Sequence, residues 1–158
     1  AVVFYLLKRY RPMETIQEAF KNALNSFSPE IVRNAERIFR LESNHFKSGQ
    51  FKGTLSPGME KFADSYPYGW KTLDKIFWSK NPQYKPIGLK TYTENQTGKQ
   101  KTFIQFPNLT ASVMTLCAFL QYYNNNPGRW FSLNPDSQKR YNESIKKITP
   151  SYTNEQLV

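Results

Sequence analysis

A single cysteine, a single histidine and a shortage of acids mark this chain of 158 residues. With Cys117 alone, no internal disulfide can form, and the redox compartment stays open. Cys117 lies in an apolar run and reads as packing. With His45 alone, most zinc and di-metal centres are excluded, because they need clustered histidine, cysteine and carboxylate ligands. A serine–histidine–aspartate triad is weakened too, since no G-x-S-x-G accompanies the histidine. No P-loop and no G-x-G-x-x-G occurs. Neither metal nor cofactor is therefore expected. Acidic residues number 12 against 22 lysines and arginines, a net charge of +10. That balance favours a polyanionic partner: nucleic acid, an anionic membrane or an acidic cell-wall polymer.

The chain is rich in aromatic rings, with 12 Phe and 10 Tyr, so it is not a disordered one. Its length suits one domain with a sizeable core. The opening AVVFYLL is apolar and KRYR follows it; seven residues are too few to span a bilayer, which needs about 20. They read as the first turns of a helix that docks on the domain, with the stub of a trimmed membrane anchor as the alternative. Residues 1–27 are taken as an N-terminal helical segment, with a helix over Glu14 to Leu24, and 28–158 as the main domain.

Ser28 is a good N-cap and Pro29 suits the first helical position, so a helix is predicted from there. Ile31, Ala35, Ile38 and Glu42 recur at helical spacing, Phe39 and Phe46 widen that stripe, and Arg33, Arg37 and Arg40 take the other side. After Gln50 the pattern loosens, and GTLSPGMEKF reads as a loop that restarts a short helix at Met59. Tyr66, Tyr68 and Trp70 bracket Pro67 and Gly69 in an aromatic loop, compatible with a satellite core or with a stacking platform for sugar rings or bases. Leu89 to Phe106 reads as a β-hairpin ended by Pro107. Leu109 to Tyr123 is the clearest apolar helix, capped by Asn108. After the NNNPGR turn, Asn134-Pro135 starts a last helix whose apolar row is Tyr141, Ile145 and Ile148. The fold class is thus mainly α (α+β), a helical domain with a small β-hairpin lobe.

Glu42 is the anomaly, a carboxylate where the pattern asks for a core residue. Burial disfavours its ionised form, which is what a general acid working near neutral pH needs. A structural ion pair with a neighbouring arginine explains such a residue equally well. His45 lies three positions on, within reach on a helix. A glycosidase needs little from the excluded chemistries: a protonated carboxyl beside the leaving oxygen, and a group that steadies an oxocarbenium-like transition state. Glu42 fits the first. Glu94 on the hairpin is preferred for the second over Asp64 and Asp74, and a 2-acetamido oxygen of the substrate can take its place.

The stretch RIFRLESNHFKSGQF resembles the catalytic-helix motif of the lysozyme-like superfamily. FIQFPNLTASVMTLCAFL and the closing ITPSYTNE look most like the bacterial endo-β-N-acetylglucosaminidases of glycoside hydrolase family seventy-three, the autolysin and flagellar type. GTLSPGM is similar to a loop of the lytic transglycosylases, the sister branch. The resemblance implies a lysozyme-like fold, with Glu42 as general acid, Ser43 supporting its helix end and Tyr152 lining the sugar site. In that family the second acid sits early in the hairpin; here those positions are Tyr92 and Thr93, with Glu94 offset.

The expectation is a peptidoglycan glycosidase that cleaves β-1,4 links of GlcNAc–MurNAc strands in the cell envelope, periplasmic or extracellular. Glu42 and Glu94 are its catalytic residues, with Ser43, His45, Tyr66, Tyr68, Tyr92 and Tyr152 on the substrate. Its partner is the glycan strand. Nucleic acid is the weaker partner, because the basic residues are scattered and no binding motif is present. The alternative is a non-catalytic cell-wall or nucleic-acid binding domain on a lysozyme-like scaffold.

Overall fold

The computed structural model describes residues 14–59, 69–94 and 96–153. The opening AVVFYLL and the aromatic loop with Tyr66 and Tyr68 lie outside them. Among the described residues the protein is mainly helical, with one two-stranded antiparallel sheet, the mainly α architecture with a hairpin lobe that the sequence predicts. The helices are α1 (Ile16–Ala23), α2 (Pro29–Glu42), α3 (Gly49–Thr54), α4 (Trp70–Leu73), α5 (Leu109–Tyr122), α6 (Gly128–Phe131) and α7 (Pro135–Lys146). Strand β1 (Gly88–Thr93) pairs with β2 (Gln100–Gln105), Gly88 opposite Gln105 and Thr93 opposite Gln100. No described helix is long and apolar enough to cross a membrane.

Helix starts follow side-chain chemistry. Ser28, Asn108 and Asn134 each accept a backbone N–H at the first turn of α2, α5 and α7. Thr15 and Glu18 close a capping box on α1, a T-x-x-E signature present in the sequence. Ser48 caps α3, so the stretch read as a loosening pattern is a short helix there; its hydroxyl accepts from Phe51 N. Three polar residues among its six conceal the helix, and the cap alone announces it.

Helix α5 runs through the middle, buried from Ala111 to Leu120. Helices α1 and α2 pack on it, and the described part of the N-terminal segment belongs to the same core through Ala19, Phe20 and Ala23. Phe20, Phe39, Phe46 and Phe51 interlock, mostly edge to face, beneath the end of α2. Trp78 is buried on the other flank of α5, and its indole N–H donates to Thr115 Oγ1 at 2.9 Å. Cys117 is enclosed in α5, where burial pushes its thiol well above the usual range. It is core packing.

The carboxylate shut inside α2 is Glu36, not Glu42. Glu36 is fully buried beside Val32, Ala35 and Phe39. Its oxygens accept from Arg40 Nε at 2.6 Å, from the Tyr152 backbone N–H at 3.0 Å and from Thr153 Oγ1 at 2.8 Å. Arg40 in turn donates to Ser151 Oγ and spreads over the rings of Phe46 and Tyr152. Arg37 donates to the Ile148 carbonyl. Residues 148–153 are thereby tied to α2. Breaking a buried ion pair from one side leaves an uncompensated charge and costs about 3–5 kcal/mol. Glu36→Ala is therefore expected to lower stability by about that much, with a matching fall in the urea midpoint and faster proteolysis of the C-terminal segment.

Candidate active site

Helix α2 ends at Glu42, and the chain then reverses hand. Asn44, His45 and Phe46 all have positive φ, at 49°, 55° and 67°. Each left-handed residue costs roughly 1–2 kcal/mol. The turn is held because it returns Phe46 to the core, a burial contributing about 1.5–3 kcal/mol. Ser43 supplies the rest. Its hydroxyl donates back to the Phe39 carbonyl and accepts from Phe46 N at 2.8 Å, while its carbonyl accepts from Lys47 N and Ser48 N, both at 3.0 Å. Ser43 is fully enclosed, so it supports the helix end and is not positioned to touch a substrate.

Glu42 itself is exposed, on the wall of an open groove of about 470 Å³. Its place in the apolar row predicts a carboxyl largely buried at the floor of a groove. The groove is there but the residue is exposed, because the buried arc of α2, made of Val32, Ala35, Glu36, Ile38 and Phe39, runs out before Glu42. Protein atoms still crowd the carboxyl. Loss of hydration pushes its pKa above the ordinary carboxylate range, and a hydrogen bond from Tyr141 Oη to Oε1, at 2.8 Å, pulls it partly back. Tyr141 is buried on α7 and sits 99 positions from Glu42. Sequence reading places it only in the apolar row of that helix.

The groove is lined by Glu42, Ser48 and Gln50 on one side and by Tyr92, Thr93, Glu94, Lys101 and Phe103 of the hairpin on the other. Glu94 thus faces the same space as Glu42. It accepts from Thr97 Oγ1 at 2.9 Å and lies 3.8 Å from Lys101 Nζ. Tyr92 also lines the groove. The hairpin reaches α3 through Gly53, whose carbonyl accepts from Gln105 Nε2 at 3.1 Å. A Cβ at Gly53 would meet the Tyr92 hydroxyl at 1.6 Å, so only glycine lets the ring lie there. Phe106 N donates to the Thr54 carbonyl and Ile104 N to the Met59 carbonyl, completing the seam.

Two expected substrate residues stand elsewhere. His45 is exposed on the left-handed turn, held by its backbone N–H to the Arg40 carbonyl, and its side chain is not part of the groove lining. Tyr152 packs against Phe46 and under Arg40, so its role is to close the C-terminal segment on α2 rather than to line the groove. Tyr66 and Tyr68 lie outside the described residues. Ser48, Gln50, Lys101 and Phe103 line the groove without any signal in sequence spacing. No cluster of three or more metal-ligating side chains occurs among the described residues.

Comparison with protein-family models, with curated proteins and with solved structures gives no match.

A hydrogen bond to the charged form favours that form, so Tyr141→Phe is expected to move the Glu42 pKa further upward. Carboxyl-detected NMR titration of labelled glutamate measures this directly. Gly53→Ala is expected to drive the Tyr92 ring off α3 and open the groove, seen as loss of nuclear Overhauser contacts between Tyr92 and residue 53, with a destabilisation of about 1–3 kcal/mol.

Proposed function

We propose that this protein is a peptidoglycan glycosidase of the lysozyme-like kind, cleaving β-1,4 links in GlcNAc–MurNAc strands. The observation that carries the reading is the pairing of two unlike carboxyl groups on one open groove. Glu42 is exposed on the groove wall, yet protein atoms around its carboxyl strip enough hydration to raise its pKa, and a buried tyrosine holds one of its oxygens. Glu94 stands on the hairpin wall with a lysine beside it. Two carboxyls in different surroundings suit the two roles of glycoside cleavage, acid and charge stabiliser.

In this reading Glu42, protonated, gives its proton to the bridging oxygen as the bond to the anomeric carbon breaks. The Tyr141 hydroxyl holds Oε1, which leaves Oε2 to carry the acid proton toward the groove. Glu94 steadies the positive charge on the departing sugar or activates the incoming water. The net charge of +10 suits an anionic wall polymer, and Tyr92 and Phe103 offer apolar surface to sugar rings. The resemblance of RIFRLESNHF to the glucosaminidase helix points the same way.

Activity should fall as pH rises through the raised Glu42 pKa, because the acid form is then lost. Removal of a general acid removes about 10²–10⁴-fold of rate. Glu42→Gln is thus expected to abolish release of muropeptides from purified sacculi, read by mass spectrometry, with thermal unfolding preserved. Wild-type protein that releases nothing while still sedimenting with sacculi would make the domain a wall-binding module instead.

A further inference from the structure

We propose that the glycan-binding surface does not end at the hairpin groove but continues past Glu42 onto Phe131, which serves as the stacking platform for a sugar ring outside that groove. The proposal rests on the glycosidase reading and extends it.

Helix α6 is GRWF. Its Trp130 is buried against Phe119, edge to face at 5.3 Å. Phe131, the next residue, points outward and leaves 54% of its surface in solvent. A lone exposed phenylalanine carries no message. This one is fixed in place. Its ring lies parallel to Tyr141, 5.0 Å between centroids and 6° between planes. The hydroxyl of that same tyrosine donates to Glu42. A single buried tyrosine therefore touches both the acid and the exposed ring. The approach of α6 to α7 that permits the stack depends on Gly128, where a Cβ would meet Gln138 backbone and side-chain atoms at 2.6 Å.

The hairpin groove lies to one side of Glu42. Phe131, on α6, and Tyr141, on α7, are not among the residues that line it. A β-1,4 strand whose scissile oxygen lies at Glu42 has sugars on both sides of it. A pyranose presents a face of C–H groups that matches an aromatic ring in area and polarity. The occupant is thus a sugar of the same strand that fills the groove. Phe131 has no polar atom to offer the reacting bond, so its contribution belongs to binding and not to the chemical step.

The test uses the full chain with purified sacculi and, in Glu42→Gln protein, with chitohexaose as a soluble probe. Phe131→Ala is expected to raise KM on sacculi roughly five- to tenfold, with kcat little changed, the scale of one aromatic contact. It should weaken chitohexaose binding by a similar factor. Phe131→Trp should restore both, and Phe131→Leu, which keeps apolar bulk without a ring, should not. Near-ultraviolet circular dichroism checks that the fold is kept. If wild-type protein cleaves and Phe131→Ala leaves KM and binding unchanged, or lowers only kcat, the platform is overturned and the glycosidase stands. If wild-type protein does not cleave, yet Glu42→Gln binds chitohexaose and loses it with Phe131, the platform stands and the glycosidase falls. If there is neither cleavage nor binding, both fall.

Discussion

A carboxylate sealed inside a helix governs how this chain closes on itself. Glu36 is fully buried, and such a charge cannot remain in the interior without donors. Two of them come from more than a hundred residues away, the Tyr152 amide and the Thr153 hydroxyl. The third is Arg40, one turn along the same helix. The C-terminal segment must therefore lie across α2, and Tyr152 must stand over Phe46. This cross-tie fixes α2 in rotation as well as in place. Because the same helix ends at Glu42, the direction of that side chain follows from the constraint at Glu36.

The two glutamates show how surroundings divide one residue type into two tasks. Glu36 is saturated with hydrogen-bond donors, an arrangement for permanence. Glu42 has one neutral donor, limited hydration and an open groove in front of it. Such an arrangement leaves a proton free to be exchanged. The other wall of the groove depends on the hairpin, which is docked on α3 by backbone pairing at Phe106 and Ile104 and by the space that Gly53 leaves. The candidate site is thus assembled from a helix end, a buried tyrosine on a later helix and a strand pair. Only the first of these is contiguous with the acid.

How much of this could be read beforehand depends on the range of the interactions concerned. Ser28, Asn108 and Asn134 act on residues two or three positions away, so their helices were legible. The apolar run of α5 and the hairpin were legible for the same reason. Of the predicted apolar face of α2, Ala35, Ile38 and Phe39 are fully buried; Val32 and Glu36 share that arc, and it is Glu36 rather than Glu42 that the core encloses. Glu36 was concealed because its partners lie at the far end of the chain. Tyr141 shows the same limit: periodicity marked its ring as core, and nothing local reveals where the hydroxyl goes. Ser43 supports the helix end, as the resemblance implies, but the turn it stabilises seals it from any substrate, and Arg40 covers Tyr152.

The change of hand at Asn44 bears on Glu42 in one more way. By stopping α2 abruptly, it makes the acid the final residue of fourteen aligned peptide units. The summed peptide dipoles leave a partial negative charge at that end, which opposes a second negative charge on the side chain. This field has the same sign as the loss of hydration. Were the helix to run one turn further, the acid would sit away from that terminus and ionise more readily. The left-handed turn is in this sense an electrostatic element as well as a corner.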